Sequence, residues 1–328
     1  MPRTTSRCRA VGFALLMAAM MLTGCAQPRM FTKQQEQAVS LYVDAMMLND
    51  LNEHEKAIEK LNAAVLLDPE FALAYSMKGD IYQKLQQYEK SAEAYEAATT
   101  MDPWSFKDFF NLGKVTQVMK QWTRAIKAYV RACELEPQHY EAHISAAKCY
   151  YETEDYEQAA QYGRRAKEID PQAADPELLL GDIHEASKDH EEAIRAYRRA
   201  LELEGNNPKI MVALAVAYLR TGRFAAAEEL LNTAIEIDGQ NGMAHQYLGF
   251  AKLKLEKTDE AIESYLRAVA LDDEDWMAHK GLGVAYVIKS IATNDPSLKT
   301  QGIEEWRTSL KIEPDQPKLR ELLDKYGE

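Results

Sequence analysis

The chain has 328 residues and a formal net charge of −13, and 46% of its residues are hydrophobic. An acidic chain of this kind is repelled by nucleic acid and by anionic lipid, so neither is expected as its main ligand. The hydrophobic residues run along the whole length without a low-complexity stretch, which predicts one elongated domain with a continuous core.

The N-terminus has the pattern of a bacterial export signal. Arg3, Arg7 and Arg9 precede the apolar run 10–22, which is too short to span a bilayer as a stable helix. The run ends in Leu-Thr-Gly-Cys at 22–25, which resembles the processing box of bacterial lipoproteins. The resemblance implies that residues 1–24 are a signal peptide, that Cys25 is lipidated and that 25–37 is a short linker. The alternative is an ordinary secretory signal with an incidental cysteine.

This resemblance also predicts where the mature protein lies. Several acyl chains on one cysteine make membrane attachment stable, so the protein is anchored to the membrane without spanning it. Ala26 follows the cysteine, which resembles the sorting pattern for the outer membrane, and the chain is then expected to face the periplasm. Residues 1–24 contain three arginines and no acidic residue, so their removal takes the net charge to −16.

The rest of the chain repeats with a period of 34 residues. One row of alanines comprises Ala64, Ala98, Ala132, Ala166, Ala200, Ala234 and Ala268. A second row comprises Ala57, Ser91, Ala125, Ala159, Ala193, Ala227 and Ala261, and a third row of Pro, Gly or Asp begins at Pro69 and ends at Asp273. A period of this length predicts stacked units of secondary structure, and such arrays present a binding surface rather than a catalytic cleft.

Each period contains the pattern of two short helices. In the fifth, Leu180 and Gly181 lie on the first predicted helix, and Ala193, Tyr197 and Ala200 follow the i, i+4, i+7 spacing of the second. A large side chain recurs where the two helices meet, and only Gly163 interrupts its row, which is Leu61, Tyr95, Tyr129, Gly163, Tyr197, Leu231 and Tyr265. The chain is therefore predicted to be all-α.

These rows, with Leu-Gly at 112–113 and 248–249, resemble the tetratricopeptide repeat (TPR). The resemblance implies an α-solenoid of helix-turn-helix units that forms a right-handed superhelix. Eight repeats are predicted at 38–71, 72–105, 106–139, 140–173, 174–207, 208–241, 242–275 and 276–316. The last contains an insertion near 291–301, and residues 317–328 are predicted to form a capping helix.

In this family the first helices line a concave groove, and a fixed set of their positions points into it. Those positions predict two zones. A basic zone comprises Lys107, Phe110, Asn111, Lys114, Lys148 and Tyr151. An apolar zone comprises Val212, Val216, Leu219, Met243, Phe250, Leu253, Met277, Val284 and Val287. The first suits an acidic segment of a partner, and the second suits a helix or an extended peptide; the alternative for the apolar zone is that it is covered as ordinary core.

The sequence offers no motif for catalysis, for a metal ion or for a cofactor. His143, His245 and His279 occupy one repeat position, so their spacing reflects the repeat and predicts a core or groove role. Cys133 and Cys149 are predicted to lie on helices that pack together, as a disulfide or as two buried thiols, with the thiols favoured.

Together these patterns predict a non-enzymatic, lipid-anchored scaffold that binds a protein or peptide in its groove. By resemblance to lipoproteins with the same repeats, it is expected to serve the assembly of a pilus, a secretion pore or a cell-wall enzyme. The alternative is an accessory subunit of an envelope enzyme, such as a glycosyltransferase system, without catalysis of its own.

Overall fold

A computed structural model describes residues 32–326, which form seventeen α-helices. The proposed signal peptide, Cys25 and most of the linker lie outside the described residues. The described residues divide into two compact bodies, 32–103 and 104–326, where the sequence predicts one elongated domain.

The helices come in pairs within each body. In the N-terminal body the pairs are α1 (Lys33–Asp50) with α2 (His54–Leu67) and α3 (Ala72–Lys84) with α4 (Tyr88–Met101). The C-terminal body contains α5 (Phe106–Val118), α6 (Trp122–Leu135), α7 (Tyr140–Glu152), α8 (Tyr156–Ile169), α9 (Asp175–Ala186), α10 (His190–Leu203), α11 (Pro208–Arg220), α12 (Phe224–Ile237), α13 (Gly242–Lys254), α14 (Thr258–Leu271), α15 (Trp276–Thr293), α16 (Pro296–Ile312) and α17 (Pro317–Tyr326). The all-α repeat solenoid predicted from the sequence is confirmed.

Small residues let the paired helices approach closely. Every alanine of the two sequence rows is fully buried, and so is Ser91, whose hydroxyl donates a hydrogen bond of 2.8 Å to the carbonyl oxygen of Gly79. A glycine on the first helix faces the large side chain of the second: a Cβ added at Gly113 would lie 2.7 Å from Cδ1 of Tyr129. The residues of these rows therefore lie where the two helices of a repeat contact each other.

The turn inside each repeat has one backbone geometry. A residue with a φ between 54° and 75° follows each first helix, at Asn52, Gln86, Lys120, Glu154, Lys188, Gly222, Glu256 and Asn294. The next residue donates its N–H back into the helix, as from Gln121 to the carbonyl oxygen of Thr116 at 2.9 Å. This is a Schellman turn, in which a left-handed residue ends the helix and satisfies its last carbonyls. Only one of the eight positions is a glycine, so no single residue type marks this turn in the sequence.

Three histidines tie one repeat to the next. The Nε2 atoms of His143, His245 and His279 lie 3.2, 3.3 and 3.2 Å from the carbonyl oxygens of Pro137, Gly239 and Asp273, where the preceding repeat ends. Because a carbonyl oxygen only accepts, each Nε2 carries the proton and donates it. These side chains stabilise the junction between repeats.

The last pair of the C-terminal body is longer than the others. Helix α15 has 18 residues, whereas α11 and α13 have 13 each. It ends at Asn294, whose φ is 54°, and the Asp295 carboxylate caps α16. The residues near 291–301 thus extend both helices beyond the usual turn. Helix α17 then packs its Leu319, which is fully buried, against Val287 and Trp306.

None of the helices in residues 32–326 is long and apolar enough to cross a membrane.

Candidate protein-binding groove

The first helices α11, α13 and α15 lie side by side in the C-terminal body and enclose a groove of about 550 Å³. We call it the apolar groove. Its lining residues are Val216, Leu219, Arg220, Gln246, Tyr247, Phe250, Leu253, Lys254, Tyr265, Trp276, Met277, Lys280, Gly281 and Val284. Most of these side chains are aliphatic or aromatic, with one amide and three cations among them. Concave apolar sites with a few polar groups are typical of ligand-binding surfaces.

Two lysines stand over aromatic rings of the apolar groove. The Nζ atom of Lys254 lies 5.5 Å from the ring centre of Phe250, and that of Lys280 lies 5.6 Å from the ring centre of Trp276. Within residues 32–326 neither lysine forms an ion pair with a carboxylate. The negative face of an aromatic ring attracts a cation, so the rings hold both ammonium groups beside the apolar floor.

The third cation of the groove, Arg220, is held by an acidic side chain of a neighbouring first helix. Arg220 forms an ion pair with Glu185 of α9, and the other oxygen of that carboxylate lies 2.9 Å from Nδ1 of His190. The guanidinium is thereby fixed at one edge of the groove while more than half of its side chain stays exposed. Its bidentate donor geometry suits a carboxylate on a partner.

The structure divides the predicted apolar zone into lining, core and open surface. Val216, Leu219, Phe250, Leu253, Met277 and Val284 line the groove together. Val212 and Val287 are buried in the core instead, the first among α10, α11 and α12, and the second against Trp306 and Leu319. Met243 is exposed and lies outside the lining. The prediction of an exposed lining is thus wrong for the two valines, because neighbouring side chains cover their positions.

One lysine of the predicted basic zone is paired with an acidic side chain. Lys148 forms an ion pair of 2.9 Å with Asp175 of α9, and the two line a cavity of about 270 Å³ with Tyr151, Asp182 and Lys209. Lys114 is exposed, with its Nζ atom 5.7 Å from the ring centre of the half-buried Phe110; Lys107 is also exposed, and Asn111 is half-buried. Asp175 of the next first helix therefore pairs with Lys148, one of the three lysines of the predicted basic zone.

One carboxylate of this cavity is itself perturbed. The Asp182 side chain accepts a hydrogen bond of 2.8 Å from the hydroxyl of Tyr197. Burial raises the pKa of Asp182, and the Tyr197 hydrogen bond opposes that rise. Tyr95 makes the equivalent bond to Asp80 in the N-terminal body at 2.6 Å, so the arrangement belongs to the repeat. A structural role explains it without any catalytic one.

The two cysteines of the described chain are free and buried. Burial raises the pKa of Cys133 and of Cys149 to about 12, so both are protonated thiols at neutral pH. Of the two arrangements that the sequence leaves open, the structure contains the thiols. Residues 32–326 also contain no group of three or more His, Cys, Asp or Glu side chains placed to hold a metal ion.

Sequence reasoning missed the polar members of the apolar groove. Arg220, Gln246, Lys254 and Lys280 occupy the same inward repeat positions that predict Leu219, Phe250 and their neighbours. A signal for them was therefore present in the repeat register. Trp276 and Tyr265 carried no such signal, because the first precedes the usual inward positions and the second belongs to a second helix.

Several solved structures resemble this fold. The Cut9 and Hcn1 hetero-tetramer of the APC/C aligns with a TM-score of 0.60 and 18% identity, over 88% of this chain and 55% of that one. The chain thus spans about half the length of that relative. Pseudomonas aeruginosa pilF aligns with a TM-score of 0.53 and 20% identity, over 63% of this chain and 94% of that one.

A third structure, of the TPR protein YrrB, has a TM-score of 0.50 and 20% identity over 61% of this chain and all of that one, and is described as having an unusual peptide-binding site. At these identities the likeness concerns the fold. No curated protein matches the chain by sequence. A family model described as the C-terminal domain of cilia and flagella-associated protein 70, a TPR family, matches residues 32–282. The match covers well over half of the sequence, and the chain belongs to this family of TPR domains.

Proposed function

We propose that this protein is a non-enzymatic scaffold that holds a protein partner in the apolar groove while a lipid on Cys25 anchors it in a bacterial envelope. A fold of stacked TPR units serves protein-protein interaction. The observation that carries the proposal is the groove between α11, α13 and α15, whose lining is apolar and open to solvent. Several large apolar side chains are open to solvent within this one concavity.

The exposure of individual side chains supports this use of the groove. Phe250 is 38% exposed and Met277 is 43% exposed, although both belong to the first-helix face on which neighbouring repeats pack. Large apolar side chains left open in a shared concavity are typical of a binding site, whereas single exposed ones are ordinary. Covering them would remove apolar area from water and stabilise a complex.

Binding is tested with photo-crosslinking residues placed at two positions of equal exposure. One replaces Met277 in the groove, and the other replaces Leu266 on the second helix α14, which is 45% exposed. In envelope preparations we expect a discrete adduct from the groove position, and the variant Phe250→Asp in the same crosslinking chain should lose it. Leu266→Asp is the matched control and should leave the adduct unchanged. Equal adducts from both positions would mean that the groove is not the binding site.

The anchor is proposed from the sequence at 22–25. Cys25→Ser removes the atom to which the lipid would be attached, so the variant should remain unprocessed or be released as a soluble exported protein. Cys133→Ser is the control for loss of a thiol elsewhere. Retention on membranes, after a high-salt wash, of a Cys25→Ser protein from which residues 1–24 have been removed would rule out the lipid anchor.

The place of action that we propose is the periplasmic face of the outer membrane, and the process is assembly of a pilus, a secretion pore or a cell-wall enzyme. The support for the place is Ala26 after the cysteine, and the support for the process is the combination of anchor and TPR array. Sucrose-gradient separation of the two membranes tests the first. Loss of pili, of secretion or of wall integrity in a deletion strain distinguishes the three processes.

A further inference from the structure

The longest first helix of the C-terminal body carries an apolar stripe that continues past the apolar groove. Met277, Gly281, Val284, Ile288 and Ile291 follow one another at intervals of four, three, four and three residues on α15. This is the heptad spacing by which one helix packs along another. The stripe spans fifteen residues, and its ends are about 21 Å apart at a rise of 1.5 Å per residue.

The outer part of the stripe is open to solvent. Ile288 is 42% exposed and Ile291 is 68% exposed, and both lie in or beyond the last turn that a first helix of ordinary length would have. Helix α17 covers Val287 instead, on a different side of α15. The extension of the eighth repeat therefore lengthens this apolar stripe, which we call the seam. Helices α11 and α13 end before its outer part because they are five residues shorter.

The polar groups of the groove favour a helix as its occupant. An extended peptide brings an unsatisfied N–H and C=O with every residue, and burying these groups without partners is costly. Gln246 is the one amide side chain of the lining; it is only 7% exposed and makes no hydrogen bond to any residue in 32–326. A helix satisfies its own backbone, so a single polar side chain on it is enough to pair with Gln246.

The charges around the seam define the rest of the partner. Arg220, Lys254 and Lys280 border the apolar lining, and the last two lack carboxylate partners within the described chain, although the sequence contains 52 acidic residues. Acidic side chains on either side of an apolar stripe would complement Lys254 and Lys280 and would be repelled by most of the remaining surface.

We infer that the seam on α15, together with the apolar groove, binds an amphipathic helix of a partner protein, with apolar residues at heptad spacing, one polar residue opposite Gln246 and acidic residues flanking the stripe. The inference rests on the proposed function and adds the form and chemistry of the partner. The bound helix lies along α15 and passes beyond the groove to Ile291.

The probe is a designed amphipathic peptide of about 18 residues, long enough for the 21 Å seam, with leucines at heptad spacing, one asparagine in the stripe and glutamates beside it. A second peptide of the same composition has a central proline, which breaks the helix. Fluorescence anisotropy measures binding to the full chain, and circular dichroism measures the helicity of the bound peptide. We expect the helical peptide to bind and the proline peptide to bind at least about tenfold more weakly.

The seam beyond the groove is tested by Ile288→Asp with Ile291→Asp. Both side chains are exposed and outside the groove lining, so folding should be retained while the affinity for the helical peptide falls at least about tenfold. Ile237→Asp with Leu266→Asp, at exposed positions on second helices, is the matched control and should bind as the native chain does. Lys254→Glu with Lys280→Glu should weaken the glutamate peptide and accept a lysine peptide, with both effects smaller at high salt.

Three results would overturn the inference. Equal binding of the proline and helical peptides would mean an extended occupant, and unchanged affinity of the Ile288 and Ile291 variant would mean that the partner does not follow α15. Self-association of the chain in sedimentation experiments, abolished by the same variant, would mean that a second copy covers the seam. A groove adduct in the envelope preparations would still support the proposed function in the first two cases, so the two failures are distinguishable.

Discussion

Replacing Gly113 by alanine should destabilise the C-terminal body, although alanine is the better helix former. Gly113 lies on α5 where Tyr129 of α6 packs across it, and an added Cβ would lie 2.7 Å from both Cδ1 and Cε1 of the ring. This is about 0.8 Å inside the optimal carbon-carbon separation of roughly 3.5 Å. The ring cannot swing aside easily, because it is fully buried and its hydroxyl donates a hydrogen bond of 2.7 Å to Gln117.

Two opposing terms set the size of the effect. Glycine in the middle of a helix is less favourable than alanine by about 0.5–1 kcal/mol. Inserting a methyl group into a well-packed contact typically costs about 1–3 kcal/mol. The rigid ring places this site towards the upper end of that range, so Gly113→Ala should lower the free energy of unfolding by about 1–2 kcal/mol. For a chain of this size the melting temperature should fall by roughly 2–4 °C.

Gly163→Ala is the matched control. Gly163 is also buried and helical, but it stands in the row of large side chains, and its added Cβ would meet Leu180 at 3.7 Å, an ordinary contact. Only the more favourable helix propensity of alanine remains, so this variant should be more stable than the native chain by about 0.5–1 kcal/mol. Differential scanning calorimetry compares both with the native chain. A Gly113→Ala protein at least as stable as the native one, or two shifts of the same sign, would refute the close contact between glycine and tyrosine.

Ala132→Leu should cost about 1–3 kcal/mol, because Ala132 is fully buried between helices, whereas Glu191→Gln, at a side chain 58% exposed, should cost less than about 0.5 kcal/mol; equal thermal shifts would contradict this. Cys133 and Cys149, with pKa values raised to about 12 by burial, should resist iodoacetamide at pH 8 until the chain unfolds, and mass spectrometry of labelled peptides would reveal any reaction in the folded state. Because burial raises the pKa of Asp182, the folded state binds the proton of this carboxyl more tightly than the unfolded state does. The free energy of unfolding should therefore fall as pH rises from the ordinary carboxyl pKa through the raised one. Asp182→Asn should flatten that part of a profile of stability against pH.

The repeat, its phase and its core were predictable from the sequence alone. The alanine rows and the row of large side chains have a fixed period, and each member makes the same contact in its own repeat, so periodicity is enough to place Ala132 or Tyr129 in the core. The histidine row was also visible as a row, and its role at the repeat junctions needed only one further contact, from Nε2 to a carbonyl oxygen. Local contacts that recur every 34 residues require the same type of residue at the same position of each repeat, and this is visible in the sequence.

Features that depend on the particular neighbour were decided by the tertiary structure. Val287 occupies a predicted inward position but is covered by Trp306 and Leu319. Lys148 forms an ion pair with Asp175, which lies 27 residues away in the sequence. The left-handed turn residue recurs eight times, yet it is a glycine only at Gly222, because the Schellman hydrogen bonds impose the geometry on whichever residue stands there. A repeat motif specifies contacts within its own unit. Burial and charge at the groove depend instead on side chains from adjacent helices. Which of these side chains come into contact is determined only when the helices stack.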